Sequence, residues 1–326
     1  MGMMGAWSAA LISASGRLAL LICAAAVLAS VAAAQSAPDP ESSQPNVVAE
    51  DEPITPVPLP PAADPLKLAL GERLFGDVRL SADGNLACAS CHDVRSNGAG
   101  GRTGSAGKPS LDTLSVFNAA LSFRLGWQGN FRGLAEHVEA SLENPANMHT
   151  NAEAAVRRLQ KDPGMTSQFR AAYGRGPDRD DFLDALLTFE KSLLTPGARF
   201  DRWLGGDASA LSLAELEGYR TFKSLGCSAC HQGVNIGGNL FERQGVFRPL
   251  VSSPPRLVRV PSLRNVATTA PYFHDGSAAT LEEAVRRMAA AQLDRTLNEQ
   301  QVASLVRFLK TLTGNYRGSP VTGAAP

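Results

Sequence analysis

Cysteine is scarce in this chain. There are five, and four stand in two copies of one pattern, Cys88-Ala89-Ser90-Cys91-His92 and Cys227-Ser228-Ala229-Cys230-His231. The fifth, Cys23, lies in residues 18–34, an uncharged Ala/Leu-rich run preceded by Arg17 and closing on Ala32-Ala33-Ala34. A charge, an apolar run and small residues in that order read as a secretory signal peptide over residues 1–34. The run is nearly long enough for an uncleaved anchor, but its small-residue end favours cleavage. Ile22 stands where a lipoprotein signal needs a small residue. Cleavage takes Cys23 away and leaves no cysteine for a disulfide, which excludes a disulfide-stapled fold. Net charge is lacking too: 31 basic and 31 acidic side chains cancel, so a nucleic-acid partner has no electrostatic support. Strand-like alternation is rare, which makes the expected fold class mainly α.

Cys-x-x-Cys-His is the attachment pattern of a c-type haem. Two intervening residues let both sulfurs meet one porphyrin edge while the histidine turns beneath the ring toward iron. A zinc site would need further ligands nearby, and a thioredoxin-like pair would need only one copy. Two intact copies therefore predict two covalently bound haem c groups, with His92 and His231 as iron ligands. Such haems are attached outside the bacterial inner membrane, so this motif and the signal peptide both point to the periplasm.

Residues 35–65 hold nine of the chain's 21 prolines together with Asp39, Glu41, Glu50, Asp51 and Glu52. That composition predicts a linker, extended or disordered. The remainder divides into residues 66–200 and 201–316, each built around one motif, with a short flexible tail at 317–326. The halves form a loose repeat. Leu70-Gly71-Glu72-Arg73-Leu74-Phe75 precedes the first motif and Gly218-Tyr219-Arg220-Thr221-Phe222 the second, each read as a short helix. Each half closes on an amphipathic helix: Phe182, Leu183, Leu186, Phe189 and Leu193 recur at helical spacing over 181–194. Val302, Leu305, Val306, Leu309 and Leu312 do so over 298–313. A helix before the haem and another closing over it make two cytochrome c-like domains.

From about Pro65 to Gly314 the chain resembles the bacterial di-haem cytochrome c peroxidases. The motifs that carry this are His231-Gln232-Gly233-Val234-Asn235-Ile236-Gly237-Gly238-Asn239, Val260-Pro261-Ser262-Leu263-Arg264-Asn265-Val266, Ala270-Pro271-Tyr272-Phe273-His274-Asp275-Gly276-Ser277 and Thr280-Leu281-Glu282-Glu283-Ala284-Val285. The resemblance implies that the C-terminal haem receives electrons and is held by His231 and Met288. Thr280-x-x-Glu283 is a capping box that starts a helix, and Leu281, Val285 and Met288 share one of its faces. His/Met ligation leaves iron no open position and raises its potential. A tyrosine at 288 would have suggested the related tryptophan-modifying enzymes of methylamine utilisation. The resemblance further implies a tryptophan relay between the haems at Trp127. It also implies a calcium ion bound through Asp112, Thr269 and Pro271, and a homodimer. His274 belongs to the His-Asp-Gly stretch as a structural group, and His149 has no assigned role.

The N-terminal haem, on His92, is where the family reacts with hydrogen peroxide. Many members carry a histidine in the following loop that blocks iron until reduction elsewhere. Here residues 94–113 contain several glycines and no histidine, which implies an iron open from the start. Across that pocket the family pattern Trp-Asp-Gly-Arg, Glu-Gln, Asn-Pro-x-Glu-Met reads Trp127-Gln128-Gly129-Asn130, Glu136-His137, Asn144-Pro145-Ala146-Asn147-Met148. The acid-base glutamate is thus Asn147, and the pocket glutamine is His137. An amide cannot carry a proton between peroxide oxygens, whereas a histidine can. Leu134, His137, Val138 and Ser141 share a helical face. Three readings of His137 remain open: replacement acid-base, sixth ligand to the first iron, or hydrogen-bonded core residue. The expected activity is reduction of hydrogen peroxide with electrons from a small periplasmic cytochrome c or cupredoxin. The alternative is a non-catalytic electron-transfer or redox-sensing cytochrome.

Overall fold

The computed structural model describes residues 52–100 and 111–323. The expected signal peptide with Cys23, most of the expected Pro-rich linker and the middle of the Gly-rich loop lie outside them. Nine α-helices and two short antiparallel ribbons make up the regular structure of the described residues, in keeping with a mainly α chain.

Helix α1 (Pro65–Phe75) starts at Asp64, whose carboxylate accepts the Leu66 and Lys67 amides, with Pro65 in the first turn. It buries Leu70, Leu74 and Phe75 against α5 (Arg179–Ser192), which contributes Phe182, Ala185, Leu186 and Phe189. Gly71 stands at their crossing: a Cβ there would lie 2.0 Å from the Ala185 carbonyl oxygen. Three further helices pack against this pair: α2 (Leu134–Glu143) and α3 (Ala152–Leu159) on α5, and α4 (Pro163–Tyr173) on α1. The second half, after the short α6 (Arg199–Leu204), repeats the arrangement. Helix α7 (Leu213–Ser224), begun by a Ser212/Glu215 capping box, crosses α9 (Glu299–Lys310). Gly218 is the matching close approach, since a Cβ there would lie 2.2 Å from the Ser304 carbonyl oxygen. Tyr219, Phe222, Phe308 and Phe200 pack around it with ring centroids 4.7–5.1 Å apart. Helix α8 (Leu281–Leu293) lies beside α9. Against stripes read over 181–194 and 298–313, the closing helices run 179–192 and 299–310: Asp178 and Asn298 cap their starts, and each ends two to three residues before its stripe does.

Both chain ends depart from the sequence reading. Residues 52–58 are extended, as expected, but not a free spacer. Ile54 and Val57 are buried, with Ile54 in the second core. Gly233 N–H donates to the Pro53 carbonyl, and Arg264 to that of Thr55. Proline forbids helix and ladder bonding here, yet leaves the apolar side chains free to dock. The tail beyond Tyr316 is also not loose through residue 321. Strands β3 (Asn315–Tyr316) and β4 (Ser319–Pro320) form a hairpin with Arg317 and Gly318 in the left-handed region at its turn. Arg317 grips Glu72 through both carboxylate oxygens, at 2.8 and 2.6 Å, and Val321 enters the first core. The start of the described chain therefore closes the second core and its end closes the first. No described helix is long and apolar enough to cross a membrane.

Gly218→Ala would drive a methyl group into the α9 backbone. It is expected to cost about 1–3 kcal/mol, read as a lower urea midpoint, whereas the same change at Gly176, where a Cβ would meet only the Thr166 methyl at 3.8 Å, should not destabilise.

Candidate functional site

Each Cys-x-x-Cys-His pattern folds as one tight turn. His92 N–H donates to Cys88 O at 3.0 Å, and His231 N–H to Cys227 O at the same distance. Three residues of single-turn helix, Cys88–Ser90 and Cys227–Ala229, turn both sulfurs and the imidazole toward one space. His92 Nδ1 lies 3.1 Å from Gly98 O, and His231 Nδ1 lies 3.2 Å from Ile236 O. A carbonyl can only accept, so Nδ1 carries the proton and Nε2 keeps its lone pair for a metal. Burial holds both imidazoles neutral, with pKa values pushed down to about 4. No disulfide joins these four cysteines, and before haem is attached burial raises the Cys88 thiol to about 12 and the Cys227 thiol to about 11.

Both turns open on a cavity of about 800 Å³ that passes through both halves. Two features of its walls fit haem c beyond the attachment motifs. Met288 is half-buried and faces the same cavity as His231, on the α8 face it shares with Leu281, Ala284 and Val285. Thr280 caps that helix by accepting Glu283 N–H, but the Glu283 carboxylate reaches Ala279 rather than Thr280, so the predicted capping box is half formed. Arg259 is the second feature. Its guanidinium is buried in the cavity wall with no carboxylate partner among the described residues, touching only the Gly126 carbonyl at 3.3 Å. A buried cation of this kind calls for an anion, and the propionates of a porphyrin would supply one. Arg264, by contrast, already pairs with buried Asp201 at 2.6 Å.

The structure places the remaining predicted residues as follows. His137 lines the cavity on the wall of the first motif, edge-on to Phe131 at 5.0 Å. Its ring nitrogens make no hydrogen bond among the described residues. Burial, then the nearby Arg259 charge, lower its pKa. Asn147 is exposed at the cavity edge, and Met148 beside it is buried in the first core. His149 is exposed and does not line the cavity. Trp127 donates from Nε1 to Asp112 O at 2.8 Å, accepts Arg259 N–H at 2.8 Å and sits edge-on to His274 at 6.1 Å. It thus joins the halves. Asp112, Thr269 and Pro271 all line the same cavity. Among the described residues no three His, Cys, Asp or Glu side chains gather in one metal-holding group, so Asp112 alone would bring charge to a cation there. His274 is buried and engaged at both nitrogens, by Gln244 at 3.0 Å and Pro254 O at 3.1 Å, a structural role.

Two cavity residues escaped the sequence reading, Arg259 and Glu190. Glu190 follows Phe189 on α5, and burial raises its carboxyl to about 8. The signal was present: it lies four residues after Leu186 and three before Leu193, on the apolar stripe itself. Its folded pKa is raised from an ordinary 4.5. Its protonated form is therefore favoured in the fold, and that stability is lost as pH climbs to about 8. Glu190→Gln should gain on the wild type across pH 4.5–8 in urea unfolding and no further above; parallel curves would refute the assignment.

Residues 65–209 match the di-haem cytochrome c peroxidase family, and residues 216–313 match cytochrome c. The chain is 36% identical over 288 residues to a cytochrome c551 peroxidase of Nitrosomonas europaea, covering 82% of this chain and 86% of that one. It is 34% identical over 269 residues to the cytochrome c551 peroxidase of Pseudomonas aeruginosa, covering 75% and 78%. It is 30% identical over 285 residues to the methylamine utilization protein MauG of Methylorubrum extorquens, covering 77% and 80%. Among solved structures, a MauG-like protein associated with microbial copper homeostasis superposes with a TM-score of 0.68 at 26% identity, over 79% of this chain and 93% of that one. Paired haem-attachment turns on one cavity, a double cytochrome c fold and these relatives agree: the chain belongs to the di-haem cytochrome c peroxidase family.

Proposed function

We propose that this chain is a periplasmic di-haem peroxidase that reduces hydrogen peroxide to water at the His92 site, drawing electrons through the His231/Met288 site. The observation that carries the reading is His137, a neutral, unpartnered imidazole facing the cavity on the wall of the first motif. Haem c attached through thioethers to Cys88 and Cys91, with His92 as an iron ligand, would supply the iron that reacts with peroxide. His92 is oriented for that role by its Nδ1–H, which donates to Gly98 O. The neutral His137 ring can take a proton from one peroxide oxygen and return it to the other. The balance is one peroxide, two electrons and two protons to two waters. Asn147 at the cavity edge can hydrogen-bond peroxide but moves no proton. The Arg259 charge disfavours a lasting imidazolium on His137, which favours prompt proton return. The hydrogen-bonded core reading of His137 loses its support, because no such bond exists among the described residues.

On the electron side, His231 and Met288 would both hold the second haem iron, which would leave it no place for substrate. Trp127, bonded across the interface to Arg259, provides a packed path between the halves. Calcium at Asp112, Thr269 and Pro271 would brace the segment that also holds the Trp127 indole. The second reading, a non-catalytic electron-transfer or redox-sensing cytochrome, is favoured by Asn147, which replaces the family's acid-base carboxylate.

The mature protein should carry two haems by intact mass, and Met288→Leu should abolish the sulfur-to-iron charge-transfer band of the ferric protein. If the wild type shows no such band, Met288 is not a ligand.

His137→Ala should slow the peroxide reaction in stopped-flow absorbance by roughly 10²–10⁴-fold, and Asn147→Glu in that background should restore part of it. A low-to-high-spin shift with a faster reaction would instead make His137 the sixth ligand. No peroxide reaction in the wild type would favour the non-catalytic reading.

A further inference from the structure

After the second attachment turn the chain folds back on itself. A loop of residues 232–238 leads into strand β1 (Phe241–Arg243), which pairs with β2 (Leu257–Arg259), and β2 hands on to residues 260–264. The loop carries the carbonyl that orients the ligand imidazole, Ile236 O, 3.2 Å from His231 Nδ1. Ile236 is ill suited to its place. Its backbone lies in the left-handed region, with φ 48°, and its side chain is fully buried in the second core. A β-branched residue is strained there, and such strain lasts only where the surroundings hold it. The first half meets the same need without strain. There the carbonyl facing His92 Nδ1 belongs to Gly98, with φ 67°, and glycine adopts that conformation freely.

Two segments hold the loop. From residues 260–264, Val260 O accepts Gly238 N–H at 2.7 Å, and Asn235 O accepts Leu263 N–H at 3.2 Å and the Ser262 hydroxyl at 2.8 Å. Arg264 Nε donates to Val234 O at 2.8 Å. The other segment is the extended strap of residues 52–57, where Pro53 O accepts Gly233 N–H at 2.8 Å. Arg264 ties the two together. Its remaining nitrogens reach Thr55 O at 2.8 Å and the Asp201 carboxylate at 2.6 Å, and Val57 N–H donates to the same carboxylate at 3.3 Å. The Arg264 and Asp201 side chains are 1% and 5% exposed. Water cannot replace these bonds, and only a guanidinium fork serves three acceptors at once. The strap has anchors of its own. Ile54 and Val57 are buried, and the Glu52 carboxylate accepts from the Tyr219 hydroxyl and, at 2.9 Å, from Lys223, both on α7.

We propose that Arg264 and the strap of residues 52–57 are positioning elements for His231: together they hold Ile236 in its strained conformation and so keep its carbonyl on the ligand's Nδ1. This rests on the proposed function, in which His231 ligates the iron of the electron-entry half. An acceptor on Nδ1 makes the imidazole a more basic ligand, which favours ferric iron. Release of the strap lets Ile236 leave the left-handed region. The Nδ1 bond is then lost, and the potential of that haem rises.

The test uses the holoprotein with a site-specific protease sequence in place of residues 59–62, which are exposed. It also carries Ile54→Asp, so that the strap leaves after cleavage, as intact mass records. Its departure should speed hydrogen exchange of the His231 Nδ1–H about tenfold or more, followed by ¹⁵N NMR of the reduced protein. The one-electron reduction equilibrium of the same haem should rise about tenfold, equivalent to about 59 mV. Added peptide of residues 52–58 with the natural Ile54 should reverse both changes. In the uncut protein Arg264→Lys, which keeps the charge beside Asp201 but loses the fork, should shift both in the same direction. In an Ile236→Gly background, where the backbone needs no holding, loss of the strap should move neither. Unchanged exchange, or an unchanged or lower potential, would overturn the proposal. So would an equal shift in the Ile236→Gly background; should that variant not fold, the cut and restored protein decides alone. None of these readouts uses peroxide, so a wild type that reduces no peroxide ends the peroxidase reading and leaves this one standing.

Discussion

Two helix crossings without side chains hold this molecule together. At Gly71 and again at Gly218, a helix presses its backbone against the closing helix of its half, within 2.0 and 2.2 Å of where a Cβ would sit. No other residue permits that approach. It sets each helix pair at backbone distance, with Phe189 in one crossing and Phe308 in the other. Everything else in the half follows from it. The first helix leads into the attachment turn, and the closing helix supplies the cavity wall, through Leu186 and Glu190 on one side and Leu305 and Leu309 on the other.

The halves are then joined by polar contacts as much as by apolar ones. Trp127 bonds Arg259 through its carbonyl, Asp112 N–H donates to His274 O at 2.7 Å, and Asn235 reaches Asn118 O at 3.2 Å. Such bonds are directional, so they fix orientation where a greasy interface would allow sliding. They also put a C-terminal cation, Arg259, near the N-terminal imidazole of His137. The electrostatics of the first pocket are therefore partly set by the second domain.

That arrangement bears on the altered distal pocket. A carboxylate at 147 would have given the first site its own negative charge near Arg259. With an amide there, His137, Glu190 and Asp112 are the titratable groups of the first half that line the cavity besides the attachment motif, and burial and then Arg259 bias His137 toward the neutral base. Under the proposed function, the amide at 147 and the imidazole at 137 read together as one change in how the proton is carried.

The two attachment motifs, the helix stripes of the closing helices and the family of the chain were legible in the sequence, because each is local: a fixed spacing or a 3.6-residue period. The face of Met288 could be read for the same reason, since its helix start is signalled by Thr280. What sequence could not decide depended on partners far along the chain. The Pro-rich segment 52–58 looked unpackable until Arg264 and Gly233 supplied donors for its carbonyls. The tail looked loose until Glu72 met Arg317. Nothing in the sequence marks Arg259 as a cavity residue, and the place of Glu190 on an apolar stripe marks only its face, because burial is a property of the assembled cavity and not of a residue type. Residue spacing determined the chemistry this chain can hold; only the tertiary structure decided which charges face it, because charge and burial act through space across residues that the chain itself keeps far apart.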